Sequence, residues 1–204
     1  MDFKISAEHV SELLGRGAVA LPSLTPKEYE TLCAEARALP LSPAMKVTQT
    51  GVVQNFSSCD DLPEDGGLAR LMSLAEIYIG DQLLNKYHVI DSPLVFNEGV
   101  VQVYQKAVPG QEYSISPHRD HKECINVVAV FVLEGEAPFC VCKDRQGTDT
   151  VVISNRPGDL VLMRGYGFKG LPRPFHFVGN VTEGTRISLG MRQLTDRTVM
   201  SNRS

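Results

Sequence analysis

Residues 184 to 192, Gly-Thr-Arg-Ile-Ser-Leu-Gly-Met-Arg, alternate polar and apolar side chains. A period of two is typical of a β-strand with one buried face, and it places Arg186 and Ser188 together on one side of the strand. The predicted strand runs from Arg186 to Leu194. Six further short runs of strand-forming residues precede it, at 100–105, 125–133, 139–143, 150–154, 159–163 and 175–178. Seven short strands separated by Gly, Pro and Asp predict a sandwich or a barrel.

The N-terminal part has apolar residues at helical spacing instead. Helices are predicted at 7–14, 26–39 and 67–87, with a short strand at 18–21. Thr25-Pro26-Lys27-Glu28 supplies an N-cap, a first-turn proline and a capping-box glutamate for the second helix. Residues 47–56 are interpreted as a strand pair or an extended lid. The predicted fold class is α+β, with the N-terminal helices packed on a β core.

The length and composition favour one domain. A chain of 204 residues with 43 % hydrophobic composition can fill one core and is short for two. We expect a helical part with a lid at 1–94, a β core at 95–197 and a loose tail at 198–204. There is no apolar run of membrane-spanning length and no apolar leader, so we expect a cytoplasmic protein without a membrane partner. The sequence does not indicate an oligomeric state.

The charge and the cysteines limit the functional classes. A net charge of −4 argues against a large polyanion-binding surface, so nucleic acid is possible but not favoured. The most basic run is 143–173, which is interpreted first as solvated loops. Five cysteines without a framework-like spacing predict reduced thiols. Cys140 and Cys142 lack a second pair that would complete a zinc site, which favours buried thiols.

Three side chains are candidate metal ligands. In the extended segment Pro117-His118-Arg119-Asp120, the period of two directs His118 and Asp120 to the same side. His176, within the apolar run 174–178, is the candidate third ligand. Two imidazoles and one carboxylate leave open positions on a metal, as in non-haem iron(II) oxygenases.

Simpler interpretations compete with each part of this site. A carboxylate that only orients a structural histidine also gives His-X-Asp, and a histidine between two phenylalanines is usually a core residue. His9 and His88 have no carboxylate at ligand spacing and are interpreted as structural or solvent-facing. His121 has the wrong parity to join His118 and Asp120.

Arg186 and Ser188 add a second feature. A guanidinium that points into a barrel requires an anionic partner, because an unpaired buried charge costs several kcal/mol. A dicarboxylate would supply that partner. The alternative is an exposed strand whose arginines face water.

Taken in order, these motifs resemble the 2-oxoglutarate and iron(II)-dependent dioxygenase superfamily, nearest to its AlkB-like branch. The resemblance covers about 101–194, and Gln102 stands where that branch usually has Asn. Its motifs are Gln102 with Tyr104, Pro109-Gly110, His118 with Asp120, Gly158-Asp159, His176, and Arg186 with Arg192.

The resemblance implies a double-stranded β-helix core, of jelly-roll or cupin-like form. It implies Fe(II) held by His118, Asp120 and His176, and 2-oxoglutarate as cosubstrate. Arg186, with Tyr104 and Ser188, would pair with the C5 carboxylate, and Arg192 would lie near the C1 end. Gln102 is a further candidate contact.

The expected activity is dioxygen-dependent hydroxylation of a C–H bond of a small molecule, with release of succinate and CO2. One alternative is AlkB-type oxidative demethylation of nucleic acid or protein. A second is a cupin-like metal- or ligand-binding barrel without redox catalysis, although Asp120 and the two C-terminal arginines favour the oxygenase. A third is an inactive fold that binds protein.

Overall fold

The protein folds into two antiparallel β-sheets with helices on one side. The structure, a computed structural model, describes residues 3–154 and 156–195. The predicted tail at 198–204 lies outside these residues. The helices are α1 (Ala7–Gly15), α2 (Pro26–Ala38) and α3 (Gly67–Gly80), with a π-helical turn at Asp81–Lys86 and a 3-10 turn at Phe168–Gly170. The strands are β1 (Ala18–Pro22), β2 (Ser42–Pro43), β3 (Phe56–Cys59), β4 (Glu98–Gln105), β5 (Ile115–His118), β6 (Cys124–Glu134), β7 (Phe139–Cys142), β8 (Val151–Ser154), β9 (Asp159–Arg164), β10 (Phe175–Val178) and β11 (Thr185–Leu194).

The strand order defines a double-stranded β-helix. The larger sheet has the order β1-β9-β6-β11-β4-β3-β2, and the smaller sheet has the order β5-β10-β7-β8. All the strand pairs in both sheets are antiparallel. Three strands from the first sixty residues join the larger sheet. The N-terminal part therefore builds the β core as well as covering it.

Two apolar clusters lie on opposite faces of the larger sheet. The helices pack on the outer face through a cluster that includes Leu13, Leu32 and Leu71 together with Ile187 and Leu189 of β11. A second cluster fills the space between the sheets, with side chains such as Val128, Val141 and Val161. Because β11 alternates, burying its isoleucine and leucine under the helices directs Arg186 and Ser188 to the space between the sheets.

Most predicted elements are present, with revised ends. Thr25 caps α2 and forms the predicted capping box with Glu28. The helix predicted at 67–87 is α-helical only to Gly80 and then continues as the π-helical turn. Sequence analysis did not identify β2, β3 or β5 as strands, because each is short and at least half of its residues are Ser, Pro or His, which are not typical of strands. In the lid region, isolated β-bridges join Val47 to Val53 and Gln54 to Ile115. No helix among the described residues has both the length and the apolar character needed to cross a membrane.

Candidate metal centre and the adjoining cavity

The three predicted metal ligands converge at one end of the smaller sheet. His118 ends β5 and His176 lies in β10, and their Cα atoms are direct partners in the antiparallel register. Their ring centroids are 4.2 Å apart. One ligand atom from each of His118, Asp120 and His176 lies within 4.8 Å of the others. It is the one such group of three or more metal-ligating side chains found in residues 3–154 and 156–195.

The hydrogen bonds around this triad suit a divalent metal. His118 Nδ1 lies 2.9 Å from the Ser116 carbonyl oxygen, which can only accept, so Nδ1 carries the proton and Nε2 is free to bind a metal. Asp120 Oδ2 is buried and has no hydrogen-bond partner among the described residues. It lies 3.8 Å from His176 Nε2, too far for a direct hydrogen bond. A metal between these atoms would satisfy both, so the residues fit the ion.

The electrostatics hold all three ligands in the form that binds a metal. Burial, reinforced by the nearby His118, lowers the pKa of His176 to about 3. Burial also lowers the pKa of His118. For Asp120, burial raises the pKa, but the nearby His176, Arg192, His118 and His121 lower it, and the net pKa is lowered. Near neutral pH the site therefore presents two neutral imidazoles and one carboxylate.

A narrow cavity of about 40 Å³ opens from the triad into the space between the sheets. Its lining combines polar and charged side chains with apolar ones. The lining residues are Gln102, Tyr104, Ile115, His118, Asp120, Val128, Val130, Phe139, Met163, His176, Val178, Arg186, Ser188, Gly190 and Arg192. Phe139 stacks on the ring of His176, with centroids 5.6 Å apart and an interplanar angle of 18°, and so restricts the imidazole orientation.

Arg186 is one of three charged side chains that line this cavity, with Asp120 and Arg192. Its side chain is 1 % exposed. Nη1 donates to Ser188 Oγ at 3.3 Å, and the guanidinium carbon lies 5.2 Å from the Tyr104 ring centroid. Nε and Nη2 are buried without a hydrogen-bond partner among the described residues. Two unpaired donors on a buried cation leave room for one bidentate anion.

The other three predicted contacts, Tyr104, Gln102 and Arg192, have partners within the protein. Tyr104 Oη donates to Gln102 Oε1 at 3.1 Å. Arg192 Nη1 donates to Glu98 Oε2 at 2.8 Å, while its Nε lies 3.8 Å from Asp120 Oδ1. Arg192 thus lies beside Asp120, the candidate metal-ligating carboxylate, as well as at the cavity wall. Glu98, which sequence analysis missed, is its direct partner in the β4–β11 register.

The remaining histidines and the cysteines lie outside the triad. His121 is exposed, as its parity predicts. His9 accepts a hydrogen bond from Ser6 N in the α1 capping box, which fits its interpretation as structural. All five cysteines are free thiols, as predicted. Arg173, the last residue of the basic run 143–173, donates to the backbone carbonyl of Asp120.

The comparisons with known proteins support the fold. No protein-family model matches the chain, and no curated protein matches it by sequence. Solved structures do resemble it. A Pseudomonas putida prolyl-4-hydroxylase is 18 % identical, with a TM-score of 0.66 over 93 % of this chain and 98 % of that one. A Trichoplax adhaerens prolyl hydroxylase, in complex with a hypoxia inducible factor peptide fragment, is 13 % identical, with a TM-score of 0.68 over 96 % and 91 %.

HygX from Streptomyces hygroscopicus, with nickel and 2-oxoglutarate bound, is 16 % identical, with a TM-score of 0.62 over 93 % of this chain and 87 % of that one. At these identities the likeness establishes the fold. The chain has the double-stranded β-helix fold of 2OG-Fe(II) oxygenases, as the sequence resemblance implied.

Proposed function

We propose that the protein is an Fe(II)- and 2-oxoglutarate-dependent dioxygenase that hydroxylates a C–H bond of a small molecule. One observation carries the proposal: a two-histidine, one-carboxylate triad and a buried, incompletely paired arginine line the same cavity of a double-stranded β-helix. A structural histidine pair would explain the triad, but it would leave the unpaired donors of Arg186 unexplained.

The residues of the site divide into two groups. His118, Asp120 and His176 would hold the iron, and Arg186 with Ser188 would hold the far carboxylate of 2-oxoglutarate. When bound, iron and 2-oxoglutarate together supply the oxidation, in which O2, 2-oxoglutarate and a C–H bond give succinate, CO2 and a C–OH group. The apolar walls formed by Val128, Val130 and their neighbours exclude water, which strengthens the arginine–carboxylate contact.

Tyr104, Gln102 and Arg192 have supporting parts in this proposal. The ring of Tyr104 packs beside the guanidinium of Arg186 and restricts its position. The hydrogen bond from Tyr104 orients the amide of Gln102, whose nitrogen remains available as a donor in the cavity. Arg192 lies next to Asp120, so it would stabilise negative charge at the metal end, including the C1 carboxylate of the cosubstrate.

The motifs and the cleft outside the metal site bear on the subfamily and on the alternative functions. The order of the motifs favours the AlkB-like branch, whereas the three solved structures described above are named as prolyl hydroxylases or HygX. An AlkB-type demethylase is therefore the second candidate, supported by Arg145 and Arg173 of the basic run, which line the cleft outside the metal site. The third candidate, a cupin-like barrel without redox chemistry, would leave the buried, unpaired donors of Arg186 unexplained.

The test measures binding before turnover. Calorimetry should show about one Fe(II) per chain, and 2-oxoglutarate binding that depends on the metal. Iron-loaded protein should then release succinate when incubated with 2-oxoglutarate and a panel of amino acids, nucleosides, lipids and methylated oligonucleotides. Asp120→Ala is the matched control and should abolish both the metal-dependent binding of 2-oxoglutarate and the release of succinate. Metal binding without any 2-oxoglutarate binding would favour the cupin-like alternative.

A further inference from the structure

A second, larger cavity lies outside the metal triad. It is a cleft of about 940 Å³, bordered by the 45–54 segment, the loop after β5, Arg145, Arg173 and Phe175. His118 and Asp120 line both this cleft and the inner cavity, whereas Arg186 lines the inner cavity. A molecule in the cleft therefore meets the metal ligands without displacing a cosubstrate held by Arg186. This position makes the cleft the candidate substrate site.

Three arginines of the cleft are held in place without being neutralised. Arg145 Nη1 donates to the Thr50 backbone carbonyl at 2.8 Å. Arg173 donates to the backbone carbonyl of Asp120, and the guanidinium carbon of Arg119 lies 4.1 Å from the Phe175 ring centroid. Among the residues that the structure describes, no carboxylate comes within 4.0 Å of any of the three guanidinium groups. Carbonyl oxygens and an aromatic ring orient a guanidinium group but do not neutralise its positive charge.

Two of the three carboxylates among the described residues that line the cleft already have a partner or a role. Glu98 pairs with Arg192, and Asp120 belongs to the metal triad. Glu123 is the remaining carboxylate among the described lining residues, and Lys122 beside it adds another cation. The cleft therefore carries a local excess of positive charge in a chain whose net charge is −4. A bound divalent metal would increase this excess.

The aromatic content of the cleft argues against a nucleobase. Phe175 is the one Phe, Tyr or Trp side chain among the described residues that line it, and Arg119 covers its ring. Enzymes that act on a base hold it by stacking on exposed aromatic or apolar walls. The geometry suits a small ligand whose anionic group forms charge-assisted hydrogen bonds with arginine.

We propose that the substrate carries a carboxylate or a phosphate monoester. Arg119, Arg145 and Arg173 bind this anionic group in the cleft, while the reacting carbon lies next to the metal. This inference rests on the proposed function and names the substrate class of the same site. The arginines would fix the distance between the anionic group and the oxidised carbon. Regiochemistry would then follow from the length of the substrate.

The test uses full-length protein loaded with Zn²⁺, which has no redox chemistry, and saturated with 2-oxoglutarate. Ligand-observed NMR compares matched sets of small molecules: carboxylates, their primary amides and phosphate monoesters of similar size. A methylated oligonucleotide is a further arm. The variants are Arg145→Ala and Arg119→Leu, the latter retaining apolar contact with Phe175. Arg70→Ala is the control, because Arg70 is an exposed arginine that lines neither cavity.

We expect anionic members to bind and their amides to bind at least tenfold more weakly, because a neutral amide cannot accept the charge-assisted bidentate hydrogen bonds of arginine. The comparison of carboxylates with phosphate monoesters identifies which anion is preferred. Arg145→Ala and Arg119→Leu should each weaken anion binding by about tenfold, with 2-oxoglutarate affinity within twofold of wild type. Arg70→Ala should match the wild type.

Three results would overturn the inference while the proposed function stands. They are equal binding of anions and amides, no binding of either, and unchanged anion binding in both Arg145→Ala and Arg119→Leu. Tight, strongly salt-dependent binding of the oligonucleotide in preference to the small anions would also overturn it. A wild-type protein that binds neither zinc nor 2-oxoglutarate would instead refute the proposed function, and the inference with it.

Discussion

His118 and His176 are direct partners across the antiparallel strands β5 and β10, with ring centroids 4.2 Å apart. This pairing brings two imidazoles from distant parts of the chain to one point, and Asp120 completes the group from the residue just after β5. Because the pairing is made by the backbone, the two rings are positioned before any metal binds. The triad is therefore expected to behave as one unit when it is mutated.

The first prediction concerns the metal. His118→Ala, Asp120→Ala and His176→Ala should each reduce Fe(II) or Zn²⁺ affinity by at least 100-fold in calorimetry, because each removes one of about three protein ligands. His121→Ala is the control. Its side chain is exposed next to the triad but lies outside it, so this variant should retain about one metal per chain. A triad variant with wild-type affinity would remove that residue from the ligand set.

The second prediction separates a cosubstrate-binding role of Arg186 from a structural one. In the protein without 2-oxoglutarate, Arg186→Met removes a buried cation with unpaired donors, so the melting temperature should stay the same or rise. Each kcal/mol gained would add about 2–4 °C. The stabilisation by saturating 2-oxoglutarate, about 2.7 kcal/mol at 100 times Kd in the wild type, should be lost.

Arg186→Lys tests the geometry of the same contact. It should restore only part of the 2-oxoglutarate affinity, because an ammonium cannot make the bidentate contact of a planar guanidinium. Ser188→Ala, which removes the hydroxyl that accepts from Arg186, should have a smaller effect. Unchanged cosubstrate affinity in Arg186→Met would place the carboxylate anchor elsewhere.

The third prediction concerns Arg192 and the pH dependence of metal binding. Burial raises the pKa of Asp120, and His176 and Arg192 are the two largest influences that bring it down. Arg192→Met removes one of them, so the pKa of Asp120 should rise and protons should compete with the metal at higher pH. Zinc titrations between pH 4 and 8 should show the loss of affinity starting at a higher pH than in the wild type.

Glu98→Gln provides the opposite change in the same ion pair. It removes a negative charge next to Arg192 and keeps the arginine, so the onset of metal loss should move to lower pH or stay unchanged. If both variants shifted the onset in the same direction, disturbed packing rather than charge would be the cause.

The fourth prediction concerns the stability of the metal-free protein. The pKa of His176 is lowered to about 3 by burial, whereas an unfolded histidine titrates near about 6.5. The unfolded state therefore binds more protons below about pH 6.5, and stability should fall as the pH falls from there towards 3. His118, whose pKa is also lowered by burial, contributes in the same direction.

Thermal melts between pH 7 and 4 measure this effect above the range where Asp120 titrates. His176→Asn should show a weaker pH dependence of the melting temperature, whatever its absolute stability. His88→Asn is the control, because His88 is exposed, lies outside the triad and has a positive φ that asparagine adopts readily, and it should retain the wild-type dependence. A His176→Asn protein with an unchanged slope would contradict the assignment.

Local patterns in the sequence were enough to find the candidate side chains. The alternation in residues 184–192 places Arg186 and Ser188 on one face and the apolar residues on the other, and the structure has this arrangement. The capping box at Thr25 is equally local, and it forms as predicted. These features depend on neighbours within a few residues, so periodicity and side-chain chemistry determine them.

Pairing between distant strands determines how these candidate side chains are brought together. The ion pair between Arg192 and Glu98 and the direct pairing of His118 with His176 depend on register between strands far apart in sequence. The cleft is similar, because Arg119, Arg145 and Arg173 come from separate loops, and no sequence pattern shows that they line one cavity. The sequence by itself determined which side chains could bind metal and cosubstrate. The tertiary structure decided which charges remain unpaired around them, because the balance of charge at a site depends on every chain segment folded against it.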